Sequence, residues 1–224
     1  MSAVHHPGED LLWDYFRGTL APGLSLSVRT HLDLCPQCRD DMRVFTAIGG
    51  AMLDSVESIA MSDNALDLAL ARIERPIERP KTPADPTAKS IKRQPFLEGF
   101  ELPETLKNVE VKSRYFVAPG VWLAPIVLAG AAKGAKTYLM YVRAGMAMPE
   151  HTHRGREITV MLQGQYQDHK GLYKRGDFAE CDETDDCHTP AMVGDVDCLC
   201  LVAQEAAIIP KTWLGWLLKP IARI

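Results

Sequence analysis

No stretch of the 224 residues is apolar for long enough to cross a membrane. The longest mostly apolar run, 121–132, is interrupted by Pro125 and Gly130 and falls well short of the roughly 20 residues a spanning helix needs. The opening segment, MSAVHHPGEDLLWDYF, has no basic leader and no long apolar stretch, so no secretory signal is expected and the compartment reads as cytoplasm. Repeats at periods of about 20 to 50 residues are missing, which excludes a solenoid. Basic charge is scarce in the first third: residues 1–80 carry 12 Asp/Glu against 7 Lys/Arg, a net of −5. Affinity for nucleic acid rests on Lys and Arg displacing counterions from phosphates, so direct nucleic-acid binding is not expected, and a basic protein partner suits this region better. At 46% hydrophobic and 24% charged, the chain shows the bias of neither a disordered nor a fibrous protein.

What is present divides the chain. Residues 76–95, PIERPKTPADPTAKSIKRQP, hold five prolines and little apolar periodicity, the composition of a semi-extended linker. Domains are therefore expected at 1–78 and 96–224, with the linker at 79–95. Before it, apolar residues recur at helical spacing in four groups: Leu11, Leu12, Tyr15 and Phe16; Leu24, Val28, His31 and Cys35; Met42, Phe45, Ile48, Met52 and Val56; Leu66, Ala69, Leu70 and Ile73. That pattern predicts about four short helices, the last separated from the others by the polar stretch around Ser58 to Asn64 and able to dock on a partner. After the linker, short runs such as 137–142 and 157–162 alternate with Gly and Pro turns, which predicts an antiparallel barrel or jelly roll.

Two constellations carry chemistry. In the first, His31-x-x-x-Cys35-Pro36-Gln37-Cys38, the i, i+4 spacing puts His31 and Cys35 on one helix face and the Pro-Gln turn returns Cys38 to the same point. Three nitrogen and sulfur donors converge, and zinc needs one more group to close a tetrahedral structural site; His5 or His6 can supply it. A thioredoxin-like use of the two cysteines needs a βαβ setting, and the surroundings read as helical.

These residues, with a histidine near the start and a long helix following, resemble the zinc-binding anti-sigma domain of bacterial regulators that sequester extracytoplasmic-function (ECF) sigma factors. The second constellation, Gly145-x5-His151-x-His153-x3-Glu157-x6-Gly164, is similar to the first cupin motif at every spacing. On a strand, His151 and His153 point to one side and Glu157 begins the next strand across a turn, giving a mixed imidazole and carboxylate site for one divalent metal: zinc first, otherwise iron, manganese or nickel. Gly176-Asp177 followed by His188-Thr189-Pro190 resembles the second cupin motif, except that an acidic segment, 181–187, replaces the usual Pro-x-Gly.

Taken together, a zinc anti-sigma domain joined to a cupin (a double-stranded β-helix or jelly-roll barrel) resembles the ChrR-type anti-sigma factors. The resemblance implies His6, His31, Cys35 and Cys38 as zinc ligands and His151, His153, Glu157 and His188 as barrel ligands. It also implies an ECF sigma factor as partner, repression of transcription, and release in response to singlet oxygen or related oxidants. On that reading the chain is not an enzyme; the alternative is a dioxygenase-like cupin metalloenzyme with an appended helical binding module, since histidines plus one carboxylate leave positions open for substrate. Cys198 and Cys200 alternate on one face of a strand expected to be the last, as core residues or as a redox pair, with core packing preferred. Cys181 and Cys187 fall in the acidic segment, where neighbouring carboxylates disfavour the thiolate. Trp213, Trp216, Leu217 and Leu218 form an apolar cluster suited to the core or to a weak homodimer contact.

Overall fold

The computed structural model describes residues 3–74, 94–149, 151–152, 155–182, 189–206 and 209–210. Four helices precede residue 75: α1 (Glu9–Phe16), α2 (Pro22–Leu34), α3 (Pro36–Asp54) and α4 (Ala65–Glu74). Glu9 and Asp10 occupy the first turn of α1, where negative charge meets the positive end of the helix dipole. Pro22 opens α2, a position where its missing N–H costs nothing. Pro36 sets the sharp corner between α2 and α3. A residue before proline is pushed out of the helical region, and Cys35 is extended at φ −112° and ψ 107°. Cys35 thereby ends α2 and caps α3, its Sγ accepting from the amide of Cys38 at 3.5 Å.

The stripe on α3 is only partly used inside the chain. Cys38 is buried and Met42 and Phe45 are partly so, with Phe45 against Trp13 and Phe16 of α1. Farther along, Ile48, Met52, Leu53 and Val56 are exposed, and so are Ile59, Met61, Leu66, Leu68, Leu70 and Ile73. Helical periodicity marks an apolar face; it does not say whether the chain's own core or another molecule covers it. The linker expected at 79–95 lies almost wholly outside the described residues.

A 3-10 turn at Pro95–Leu97 and a one-turn helix α5 (Glu104–Lys107) lead into the strands. These are β1 (Tyr115–Ala118), β2 (Val121–Pro125), β3 (Lys136–Val142), β4 (His151–Thr152), β5 (Glu157–Gln163), β6 (Gln165–Gln167), β7 (Leu172–Lys174), β8 (Phe178–Cys181), β9 (Ala191–Met192), β10 (Cys198–Gln204) and β11 (Ile209–Pro210). The main sheet is antiparallel in the order β1-β2-β3-β10-β5-β8; β7-β6-β9 and β11-β4 form two smaller sheets. The strand of Cys198 is not the last, since β11 follows it, and within the sheet it is central, between β3 and β5. Cys181 is in β8, paired with Glu157 and buried; the acidic run in the sequence masked the end of a strand.

Every residue of β10 is buried, because the sheet is covered on both faces, the pattern of a continuous apolar run. Cys198, Cys200 and Val202 join Tyr138, Met161, Tyr166, Tyr173 and Met192 in the barrel interior. Leu199, Leu201 and Ala203 face the other way and share one core with Leu11, Leu12, Leu24 and Val28 of the helices. The helical region is thus seated on the outside of the barrel. Gly23 permits the close approach of α2: a Cβ there would sit 2.5 Å from Thr137 Oγ1 and 3.4 Å from the Ala203 Cβ. Asp33 adds a polar tie by accepting from the Thr105 amide at 2.7 Å.

Candidate metal centres

The corner at Cys35 and the arrival of the N-terminal segment bring four donors together. His6, His31, Cys35 and Cys38 offer ligand atoms that all lie within 4.8 Å of one another, with three of the residues buried and His6 half-buried. His31 Nε2 is 3.3 Å from Cys38 Sγ, and His6 Nδ1 is 3.4 Å from the Sγ of both Cys35 and Cys38. Zinc bonds of about 2.3 Å to sulfur and 2.0 to 2.1 Å to nitrogen at tetrahedral angles give nitrogen–sulfur edges of about 3.6 Å, so the donor set fits the ion. His5 is turned away: its ring lies on Tyr173, with centroids 4.3 Å apart, and its Nε2 is 3.2 Å from the Leu172 carbonyl.

Electrostatics favour a metal that takes neutral imidazole and ionised thiol. Burial lowers the pKa of His31 to about 4, against the raising effect of its bond to Gly176 and helped by the nearby His6. The ring is therefore neutral. A carbonyl can only accept, so Nδ1, 2.7 Å from the Gly176 oxygen, carries the hydrogen and Nε2 presents its lone pair to the cluster. Burial, then the neighbouring Cys35, pushes the Cys38 thiol up to about 12; a cation is what makes its thiolate stable.

In the barrel, Glu157 heads β5 on the interior face and is buried, and Gln204 of β10, opposite it in register, donates from Nε2 to its carboxylate. Gln204 is itself 4% exposed, and its Oε1 is the buried side-chain oxygen without a hydrogen-bond partner among the described residues. A buried carboxylate beside an unpartnered amide oxygen fits a cation. Sequence reasoning missed Gln204, although the two-residue period through Cys198, Cys200 and Val202 places it on the same face. The His151 backbone is in β4, paired with Pro210; its side chain, together with His153, His188 and Cys187, lies outside the described residues, as does the cluster from Trp213 to Leu218. Burial raises the pKa of both Cys198 and Cys200, which suits packing over thiolate reactivity.

The fold and the clustered donors define a zinc-finger-like helical region seated on a cupin-like barrel. Residues 9–39 match the family described as "Putative zinc-finger", and residues 108–207 match the ChrR cupin-like domain. The anti-sigma-E factor ChrR of Cereibacter sphaeroides is 32% identical over 224 residues, covering all of both chains. The crystal structure of Rhodobacter sphaeroides SigE in complex with the anti-sigma ChrR aligns with a TM-score of 0.68 at 31% identity, covering 91% of this chain and 99% of that one. A more distant likeness, TM-score 0.39 and 18% identity, is to an RmlC-like cupin protein from Ralstonia eutropha, over 57% of this chain and 77% of that one. The chain belongs to the ChrR family of anti-sigma factors. Among the described residues no helix is long and apolar enough to cross a membrane.

Proposed function

We propose that this protein is an anti-sigma factor that inhibits an ECF sigma factor by covering it with the exposed apolar face of α3 and α4. The observation that carries the reading is that surface: ten large apolar side chains between Ile48 and Ile73, seven on the two helices and three on the segment between them, are left exposed by the described residues in a chain whose relative is crystallised with a sigma factor. Burying one such side chain contributes about 1.5–3 kcal/mol. Covering five or six gives a gross gain near the roughly 12 kcal/mol of a nanomolar complex, with the rest of the contact left to offset the cost of association. The net charge of −5 over residues 1–80 suits a basic partner.

On this reading His6, His31, Cys35 and Cys38 hold one zinc that fixes the corner between α2 and α3, and therefore the direction in which α3 presents its apolar face. His151, His153, Glu157 and His188 hold a second divalent ion in the barrel, zinc or otherwise iron, manganese or nickel, with Gln204 orienting the carboxylate of Glu157. That ion supplies open coordination positions for the oxidant signal. The barrel acts as a sensor and not as an enzyme, and the signal lowers the affinity for the sigma factor relative to that of RNA polymerase. Glu157→Ala tests the sensing role: the variant should still bind the sigma factor and fail to release it under singlet oxygen. Release at the normal rate would remove the barrel ion from the mechanism.

A further inference from the structure

The N-terminal donor cluster does not stand free of the barrel. Val4 and His5 donate their amides to Asp177 Oδ1 at 2.6 and 3.1 Å, and Lys174 donates to Oδ2 of the same carboxylate at 2.7 Å. Asp177 is 2% exposed, so these three bonds take the place of its hydration. The Phe178 amide then donates to the His5 carbonyl at 3.1 Å. Residues 4 and 5 are thereby clamped to the turn between β7 and β8, one residue before the ligand His6. The other histidine is tied to the same turn by the bond from His31 Nδ1 to the Gly176 carbonyl at 2.7 Å. Gly176 has φ +94°, a conformation that an L side chain rarely adopts, and the Cβ of a larger residue would lie 3.6 Å from that of Ala3 and 3.7 Å from that of Leu34. The turn is locked to β5 in both directions: Gly176 donates to the Met161 carbonyl at 2.8 Å, and Met161 donates to that of Asp177 at 3.0 Å.

We propose that the Gly176–Asp177 turn of the barrel is a working part of the N-terminal zinc centre, with Asp177 as the positioning residue that sets His6 through the backbone of residues 4 and 5 and the Gly176 carbonyl as the group that sets His31. All four donors come from residues 6–38, and the docked barrel turn sets the orientation of two of them. Outer partners of this kind fix the orientation of ligating histidines, and their loss typically costs a metal site about 10- to 100-fold in affinity. The same turn leads into β8, whose far end at Cys181 pairs with Glu157, about 13 Å away along four residues of strand. A change at Glu157 thus has a covalent and hydrogen-bonded route to both zinc histidines, which assigns the coupling between barrel and zinc to this turn.

The proposal rests on the cluster being a zinc site, and the test separates the two. Zinc release from the full-length chain to a chromophoric chelator is followed for the wild type, Asp177→Ala, Asp177→Asn, Cys35→Ser, and Leu123→Ala, a barrel-interior change that destabilises without touching the turn. We expect zinc in the wild type and none in Cys35→Ser. Release should be ten-fold or more faster in Asp177→Ala and about three-fold faster in Asp177→Asn, which keeps one acceptor oxygen and serves if the alanine variant fails to fold. Leu123→Ala should match the wild type. Wild-type rates in both Asp177 variants would overturn the proposal and leave the zinc reading standing, as would equal acceleration by Leu123→Ala. A wild type that never holds zinc would overturn both.

Discussion

His31 and Gly176 are 145 positions apart in the chain, yet the imidazole Nδ1 of one lies 2.7 Å from the carbonyl oxygen of the other. That bond fixes the tautomer of a donor in the helical cluster from a turn in the barrel, and it joins the two halves of the chain at the four-donor cluster. His31→Ala should therefore do two things: abolish zinc retention, and leave the buried Gly176 carbonyl without its partner, at a cost of about 1–3 kcal/mol in addition to the zinc. Elemental analysis and thermal unfolding of zinc-free wild type and variant separate the two losses. Equal Tm values for the two zinc-free proteins would show that the Gly176 bond contributes nothing.

Zinc uptake should be coupled to protons. Cys38 is held at about 12 in the metal-free fold and must be ionised when bound, so the apparent affinity rises by at least ten-fold per pH unit between about pH 6 and 9. His31, lowered to about 4 by burial, is already neutral there and adds no slope. Chelator competition at four pH values measures this, and a flat profile would show that Cys38 binds no metal.

The same lowering of His31 predicts acid sensitivity of the zinc-free chain. The unfolded ring takes up a proton near pH 6.5 and the folded ring does so only near 4. Stability is therefore full above 6.5 and is lost as the pH falls through that window, by about 3 kcal/mol for a shift of this size. Denaturant midpoints at pH 7 and pH 4.5 give the comparison, and the difference should shrink in His31→Gln, which has no proton to gain.

Docking of α2 on the sheet depends on Gly23. A Cβ there meets Thr137 Oγ1 at 2.5 Å and Ala203 at 3.4 Å, so Gly23→Val should lift the helix and loosen the core it shares with Leu199 and Leu201. Hydrogen exchange should accelerate in α2 and β10 by ten-fold or more while the β6–β7 hairpin keeps its protection. Uniform protection across the variant would show that Thr137 simply rotates away.

In the barrel, Gln204→Leu removes the donor to Glu157; if the barrel holds an ion as proposed, metal content should fall from two ions per chain towards one, with the N-terminal zinc retained. Elemental analysis of the variant and of Glu157→Ala, which should also hold one, is the check. Two ions in both variants would take the carboxylate out of the ligand set.

Much of this was legible in the sequence for identifiable reasons. The corner at Cys35 follows from proline steric restriction, and His31, Cys35 and Cys38 meet because helical spacing and that corner leave them little choice. Strands β3 and β5 announced themselves by alternation and turn residues. Three features were hidden. The choice between His5 and His6 depends on the clamp at Asp177, a contact between residues about 170 positions apart. The apolar stripe that runs along α3 to Val56 just beyond it has the periodicity of a core helix, and only the fold shows that the described residues leave Ile48, Met52 and Val56 exposed. The seating of the helices on the barrel was written in β10, whose unbroken apolar run suits a strand covered on both faces; core packing was the preferred reading of Cys198 and Cys200, but the run does not say what covers the opposite face of Leu199 and Leu201.

The measurement that tests the central claim most directly is titration calorimetry of the zinc-loaded full-length chain against a cognate ECF sigma factor, with Met52→Asp and Leu53→Asp as the comparison. The account predicts a one-to-one complex of nanomolar affinity in the wild type, weakened 100-fold or more when a charge is placed on α3, with zinc content and Tm unchanged. Undiminished binding by both variants would contradict the α3 surface as the site of inhibition, and no complex with any ECF sigma factor of the same cell would contradict the anti-sigma function itself.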